Sequence, residues 1–210
     1  MWRDADEGDE DDEDDEGDED SVTSPRTIGV FCGSRPAIDP ALSEAACQLG
    51  AGLARRGIGL VYGGASVGLM GIVANAVIAA GGTVTGVITE ALVGHEIAHS
   101  DLNRLHVVTT MHERKGLMYE LSDAFIMAPG GFGTCEEFFE AITWTGLGLH
   151  DKRCGILNSA GFFDSLLSFV GHATDNGFIR SAAVDALIVS DDVDVLLDAM
   201  IARAAPSPAL

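Results

Sequence analysis

Nine consecutive residues, Pro129-Gly130-Gly131-Phe132-Gly133-Thr134-Cys135-Glu136-Glu137, place an anion-accepting turn directly before a carboxylate. An apolar run of strand length precedes them at 124–128, and 137–149 follows with apolar residues at helical spacing. The glycines are therefore expected at a strand-to-helix turn. Residues without side chains let a backbone close on a phosphate there, and the positive end of the following helix favours the negative charge. Thr134-x-x-Glu137 also has the form of a capping box, a purely structural use of the same residues. Upstream, Met111-His112-Glu113-Arg114-Lys115 sets a guanidinium beside an ammonium just after another strand-length run, 105–109. The chain has only two lysines, Lys115 and Lys152, so the Arg114-Lys115 pair points to an anion rather than to a generic solvated surface.

Strand-length and helical runs alternate around these residues. Strands are expected at 28–32, 60–62, 84–88, 105–109, 125–127, 155–157 and 187–189. Helices are expected at 40–56, 67–80, 137–149 and 193–203, the first capped by Asp39, with Pro40 at its first position and Gly57 as its stop. This alternation predicts an α/β fold: a Rossmann-like, doubly wound, mostly parallel sheet with helices on both faces. In such a fold ligands collect at the carboxyl ends of the strands. Gly33-Ser34, Gly63-Gly64, the Arg114-Lys115 segment and Gly130 to Thr134 all follow strands, which brings them to one crevice. Gly33 and Ser34 enter as secondary phosphate or ribose contacts.

With 210 residues and 47% apolar content, the chain can bury one full core. Its net charge of −21 is unevenly spread: the first twenty residues hold fourteen Asp/Glu against Arg3 alone, which leaves −8 for the rest. Like charges and few apolar groups predict a disordered acidic tail at 1–24. A single domain is expected at 25–204, with a short C-terminal tail at 205–210. The acidity and the lack of a basic stripe argue against a nucleic-acid partner. No apolar run reaches membrane-spanning length and no leader pattern is present, so a cytoplasmic protein without a membrane partner is expected. Cys32, Cys47, Cys135 and Cys154 contain no Cys-x-x-Cys spacing and are expected as buried, reduced thiols. Cys135 is read as a small helix-start residue rather than a nucleophile.

His95-Glu96-Ile97-Ala98-His99 matches the His-Glu-x-x-His form in which two histidines on one helical face bind zinc and the glutamate activates water. Glycine and polar residues flank it closely, leaving barely more than one helical turn, and no third ligand follows at the customary spacing. A zinc peptidase is thus a remote alternative, and no metal site is expected.

Taken in order, these motifs resemble those of the LOG (LONELY GUY) family of cytokinin-activating nucleoside 5′-monophosphate phosphoribohydrolases. The matching positions are Met111 with Arg114 and Lys115, and the Pro129 to Glu137 stretch. Also similar are Gly29 to Ser34, Gly59 to Gly64, Gly68-Leu69-Met70-Gly71, Gly81 to Ile88, and Ile142 to Gly155. The resemblance spans about 27–197. It implies hydrolysis of the N-glycosidic bond of adenine-type nucleoside 5′-monophosphates, AMP and cytokinin riboside 5′-monophosphates, to free base and ribose 5-phosphate. Glu137 and Arg114 become the catalytic pair. Glu96, Lys115, Gly130, Gly131, Phe132, Gly133, Thr134 and Thr143 become substrate contacts, with Gly33 and Ser34 beside them. The resemblance also implies a homodimer that needs no cofactor. Thr89, His95 and Ala65 depart from the usual pattern, at positions bearing on base and ribose selectivity. A nucleotide or cofactor carrier on the same fold is the alternative. A pyridoxal-dependent decarboxylase, a label this fold family attracts, would need a Schiff-base lysine from Lys115 or Lys152.

Overall fold

Seven short runs pair side by side, each too short and too apolar to stand alone. They are β1 (Thr27–Phe31), β2 (Gly59–Tyr62), β3 (Val84–Thr89), β4 (Arg104–Val108), β5 (Ala124–Met127), β6 (Arg153–Leu157) and β7 (Ile188–Ser190). The computed structural model describes residues 26–93 and 98–202. The expectations for 1–24, for His95 and Glu96, for the end of the last helix at 203 and for 205–210 lie outside them. The strand order is β4-β3-β2-β1-β5-β6-β7, and every neighbouring pair is parallel. The sheet expected to be mostly parallel is wholly so among the described residues.

Strand side chains alternate between two cores, as the pleat requires. Ile28, Val30 and Ile126 pack on one face against Leu49, Val73 and Leu196. Phe31, Phe125 and Met127 pack on the other against Met118, Tyr119 and Phe138. The first core is covered by α1 (Pro40–Arg55), α2 (Gly68–Ala79) and α8 (Val193–Ile201), and the second by α4 (Met111–Glu120) and α5 (Phe132–Gly146). Shorter or more peripheral helices are α3 (Glu90–Val93), α6 (Asp164–Asp175) and α7 (Ser181–Asp185). Burial on both faces explains why β1 and β5 read as continuous apolar runs. The capping of α1 is as expected: Asp39 accepts from the Ala41 amide at 2.9 Å, and Gly57 takes φ +69° just past the end.

From β1 the chain winds outward through β2, β3 and β4, then returns to the centre at β5 and winds the other way through β6 and β7. The reversal lies between β1 and β5. In an open α/β sheet a cleft forms at that point, outside the carboxyl ends of the strands.

Among the expected elements, the helix after β5 shifts most: it begins at Phe132 rather than 137, with Gly131 as its N-cap. Thr134 is therefore the third residue of α5 and does not close a capping box with Glu137. Its hydroxyl instead lies against Gly130, where even a methyl group would collide with it. The glycines of the turn are compatible with a first helical turn although they break the apolar periodicity, which is why the pattern alone starts the helix too late. The capping box belongs to α4. There Thr110 accepts from the Glu113 amide at 3.1 Å, and Glu113 accepts from the Thr109 and Thr110 amides at 2.9 and 3.2 Å.

Candidate active site

A crevice of about 860 Å³ opens at the winding reversal. Its lining includes Gly33 and Ser34 after β1, Gly63 after β2, Arg114 from α4, and Pro129 to Thr134 with Glu137 from the start of α5. Segments distant in the sequence meet here because parallel strands carry all their carboxyl ends to one edge. Two close approaches shape the floor. The Gly33 amide donates to the Pro129 carbonyl at 3.0 Å, joining the loops after β1 and β5. Gly63 leaves room for Arg114, whose guanidinium would collide with any side chain at that position.

Arg114 is the electrostatic centre of the floor. It is only 6% exposed. Its Nε donates to the Val87 carbonyl at 3.0 Å, Nη2 to the Gly63 carbonyl at 3.4 Å and Nη1 to Glu137 Oε1 at 3.3 Å. The Arg114–Glu137 ion pair is largely shielded from solvent, with 7% and 12% of the side chains accessible. A fixed guanidinium fork anchored on one carbonyl of β3 and one just after β2 holds the carboxylate in one place. Glu113, which also neighbours Arg114 in sequence, is committed to the capping box instead.

Around this pair, Gly130, Gly131, Phe132, Gly133 and Thr134 surround the start of α5. Gly131 caps α5 without a side-chain hydrogen bond, so among the described residues no N-cap side chain competes with an anion for the amides at the helix start. Cys32 lies in the lining. Burial pushes its thiol far above the ordinary range, and the charge of Glu137 adds to the effect. Burial also raises the thiol of Cys135, on the first turns of α5. Both thiols stay protonated near neutral pH, so neither is an activated nucleophile. All four cysteines are free, but Cys47 is exposed and Cys135 half-buried, against the expectation that all would be buried. Cys47 lies on the outer side of α1, where periodicity does not require burial.

Two expected contacts are placed elsewhere. Lys115 projects to α5, where its Nζ meets Glu136 Oε1 at 2.5 Å and Glu140 Oε2 at 3.0 Å, and it does not line the crevice. Burial works against its charge, but the hydrogen bonds to Glu136 and Glu140 prevail and raise its pKa above the usual lysine value. Thr143 is exposed along α5 and donates to the Phe139 carbonyl at 2.6 Å, away from the crevice lining. Glu96 lies outside the described residues. The structure adds lining residues that were not expected as contacts: Arg35, Met70, and Ile38 and Phe162, which form an apolar rim with the expected Phe132. Phe132 is 98% exposed although it heads a helix that packs on the core, a signal readable only once the helix start is known.

His99 bears on the zinc alternative. Its Nδ1 accepts from the Asp101 amide at 3.2 Å, and its Nε2 bonds Asn75 Oδ1 at 2.9 Å. Both ring nitrogens are engaged within the fold, its backbone amide donates to the Gly64 carbonyl, and Ala98 bridges Ala65. The second histidine of the motif is thus a structural tie between the loop after β2 and helix α2.

A family model described as "Possible lysine decarboxylase" matches residues 70–200. The chemistry in that description does not fit the residues present. Lys115 is held by two glutamates, and Lys152 donates to the Tyr119 carbonyl beside the Phe125 ring. Neither lysine lines the crevice, so no residue offers the amine for a pyridoxal Schiff base. Among curated proteins, the chain is 49% identical over 172 residues to the cytokinin riboside 5′-monophosphate phosphoribohydrolase of Rhodococcoides fascians, covering 81% of this chain and 87% of that one. It is 45% identical over 172 residues to the enzyme LOG2 of Arabidopsis thaliana, covering 82% and 81%. Solved structures share the fold at lower identity. The molybdenum cofactor binding protein of Rippkaea orientalis superposes with TM-score 0.63 at 23% identity, covering 86% of this chain and 97% of that one. The molybdenum cofactor carrier protein of Chlamydomonas reinhardtii gives 0.62 at 22%, covering 82% and 94%. Identity approaching one half across four fifths of the chain, with the glycine turn, the arginine and the glutamate gathered at one crevice, places this chain in the LOG family of cytokinin riboside 5′-monophosphate phosphoribohydrolases.

Proposed function

We propose that the protein hydrolyses the N-glycosidic bond of adenine-type nucleoside 5′-monophosphates, including AMP and N6-modified cytokinin ribotides, through a single nucleotide-binding domain at 25–204. The observation that carries this is the buried Arg114–Glu137 pair beside the uncapped start of α5. The 5′-phosphate binds at the Gly131 to Thr134 backbone, which sets the ribose over Glu137. As the C1′–N bond lengthens, its electron pair moves to the base nitrogen and positive charge develops on the ribosyl ring. The Glu137 carboxylate stabilises that charge and orients a water whose oxygen bonds to C1′ and whose proton leaves through the carboxylate. Arg114 keeps the carboxylate aimed. The rim of Ile38, Phe132 and Phe162 suits a flat purine and an apolar N6 substituent. Binding energy from the remote phosphate positions the reacting bond, so nucleosides turn over poorly.

Chromatographic detection of free base and ribose 5-phosphate tests this directly. AMP and N6-isopentenyl AMP are expected to release base while adenosine does not, and Glu137→Gln should lower kcat by about 10³-fold with nucleotide binding retained. A fully active Glu137→Gln would reduce Glu137 to a structural residue of α5. Nucleotide binding by the wild type without cleavage of any monophosphate would favour a carrier, a role that at present rests on shared fold alone. The proposal includes a homodimer, supported by the family and by Leu147 and Leu149, which are 68% and 65% exposed at the end of α5.

A further inference from the structure

A monophosphate dianion needs a counter-charge in this crevice. The chain carries −21 overall and −8 beyond its first twenty residues, so its general field repels such a ligand. Lys115, the expected source of that charge, is held by Glu136 and Glu140 outside the lining. Two cationic side chains line the crevice among the described residues, Arg35 and Arg114. Arg114 directs Nε and both Nη atoms to Val87, Glu137 and Gly63 at the floor. Arg35 is exposed at the mouth and forms no hydrogen bond or ion pair with another described residue.

The loop that carries Arg35 is seated from two sides. Gly33 donates to the Pro129 carbonyl at 3.0 Å and accepts from the Met70 amide at 3.2 Å. Gly68, at φ +62°, lies so close to the Ser34 and Arg35 backbone that a side chain there would collide with it. The same loop touches the glycine turn: a Cβ on Gly33 would stand 3.4 Å from Gly130 Cα and 3.8 Å from the Arg35 carbonyl oxygen. Asp39, the other charged residue near this loop in the lining, spends its carboxylate on the Ala41 amide.

We propose that Arg35 is the residue that discriminates phosphorylated from unphosphorylated nucleosides. This rests on the monophosphate reading of the crevice. The Arg35 fork closes over phosphate oxygens already held by the amides at the start of α5, so the anion is bound from below by backbone and from the mouth by a guanidinium. Lys115 is held between α4 and α5 by Glu136 and Glu140, outside the crevice lining.

The test compares wild type, Arg35→Ala and Arg35→Lys by calorimetric binding of AMP and adenosine and by base release from AMP. Arg35→Ala is expected to weaken AMP binding and raise its KM by about tenfold, with a much smaller effect on kcat. Adenosine binding should hardly change, and Arg35→Lys should recover part of the loss, since charge returns without the fork. Unchanged AMP affinity in Arg35→Ala would overturn the proposal, as would equal weakening of AMP and adenosine, which would place Arg35 on the base. If the wild type releases no base from AMP, the hydrolase assignment falls, while the ratio of AMP to adenosine affinity still decides the role of Arg35.

Discussion

The space where a Gly63 side chain would stand is taken by the Arg114 guanidinium and Met70 Sδ. Gly63→Ala should therefore leave the fold intact, because the obstructing atoms end flexible side chains, yet push Arg114 off the Gly63 carbonyl and away from Glu137. The expected outcome in steady-state kinetics is kcat lower by at least about tenfold with an unchanged circular dichroism spectrum. The Arg114–Glu137 pair was legible through the family resemblance, while strand-end convergence alone brought both residues to one crevice without fixing them as partners. The fate of Lys115 was not. A sequence says which charges exist, but pairing is decided by what stands across the gap, here two glutamates one helical turn apart on another helix. Arg35 escaped notice for the same reason: its lack of a partner among the described residues shows only in three dimensions.

Helices α4 and α5 act as one clamp around the reacting groups. Lys115 joins them through Glu136 and Glu140, and the Tyr119 hydroxyl lies 2.8 Å from the Glu137 carbonyl and 2.9 Å from Glu140 Oε2. Burial, then the hydrogen bond to Glu140, hold the Tyr119 hydroxyl protonated far above its ordinary pKa, so it stays a donor across the working range. Lys115→Met should cost at most about 1 kcal/mol in denaturant unfolding, as Glu136 is largely exposed. Its larger effect is expected on kcat, through loosened placement of Glu137, with partial rescue by Lys115→Arg. Thr110→Ala removes the cap of α4 and should cost about 1 kcal/mol by the same unfolding measurement. Helix α4 was not among the expected helices, because its sequence sets no apolar stripe on one face, whereas the existence of α5 was readable from apolar spacing. The start of α5 was not, because a glycine turn looks like a break until the sheet shows how tightly β5 turns into the helix.

Across the whole molecule, the alternation of strands and helices specified a doubly wound sheet, and the reversal between β1 and β5 is what turns four separate loops into one crevice. Stability should follow pH through His150, which packs near Phe125 and Trp144 and accepts from the Lys152 amide at 3.3 Å. Burial, then the charge of Lys152, lower its pKa below the ordinary 6.5. The unfolded chain thus binds the proton more readily. The contribution is fully present above that ordinary value and is lost as pH falls through the lowered one. Thermal melts at pH 7.5 and 5.5 should show a larger loss of Tm for wild type than for His150→Gln. Sedimentation should find a dimer that Leu147→Asp with Leu149→Asp shifts toward monomer. The chain's only two lysines sit against one helix. Lys115 ties α4 to α5, and Lys152 donates to the carbonyl of Tyr119 on α4. Every lysine amine of the chain therefore fastens the same helix, so amine acylation of the intact protein reports the unseating of α4: modification at either lysine, read by mass, becomes a clock for the opening of the catalytic clamp.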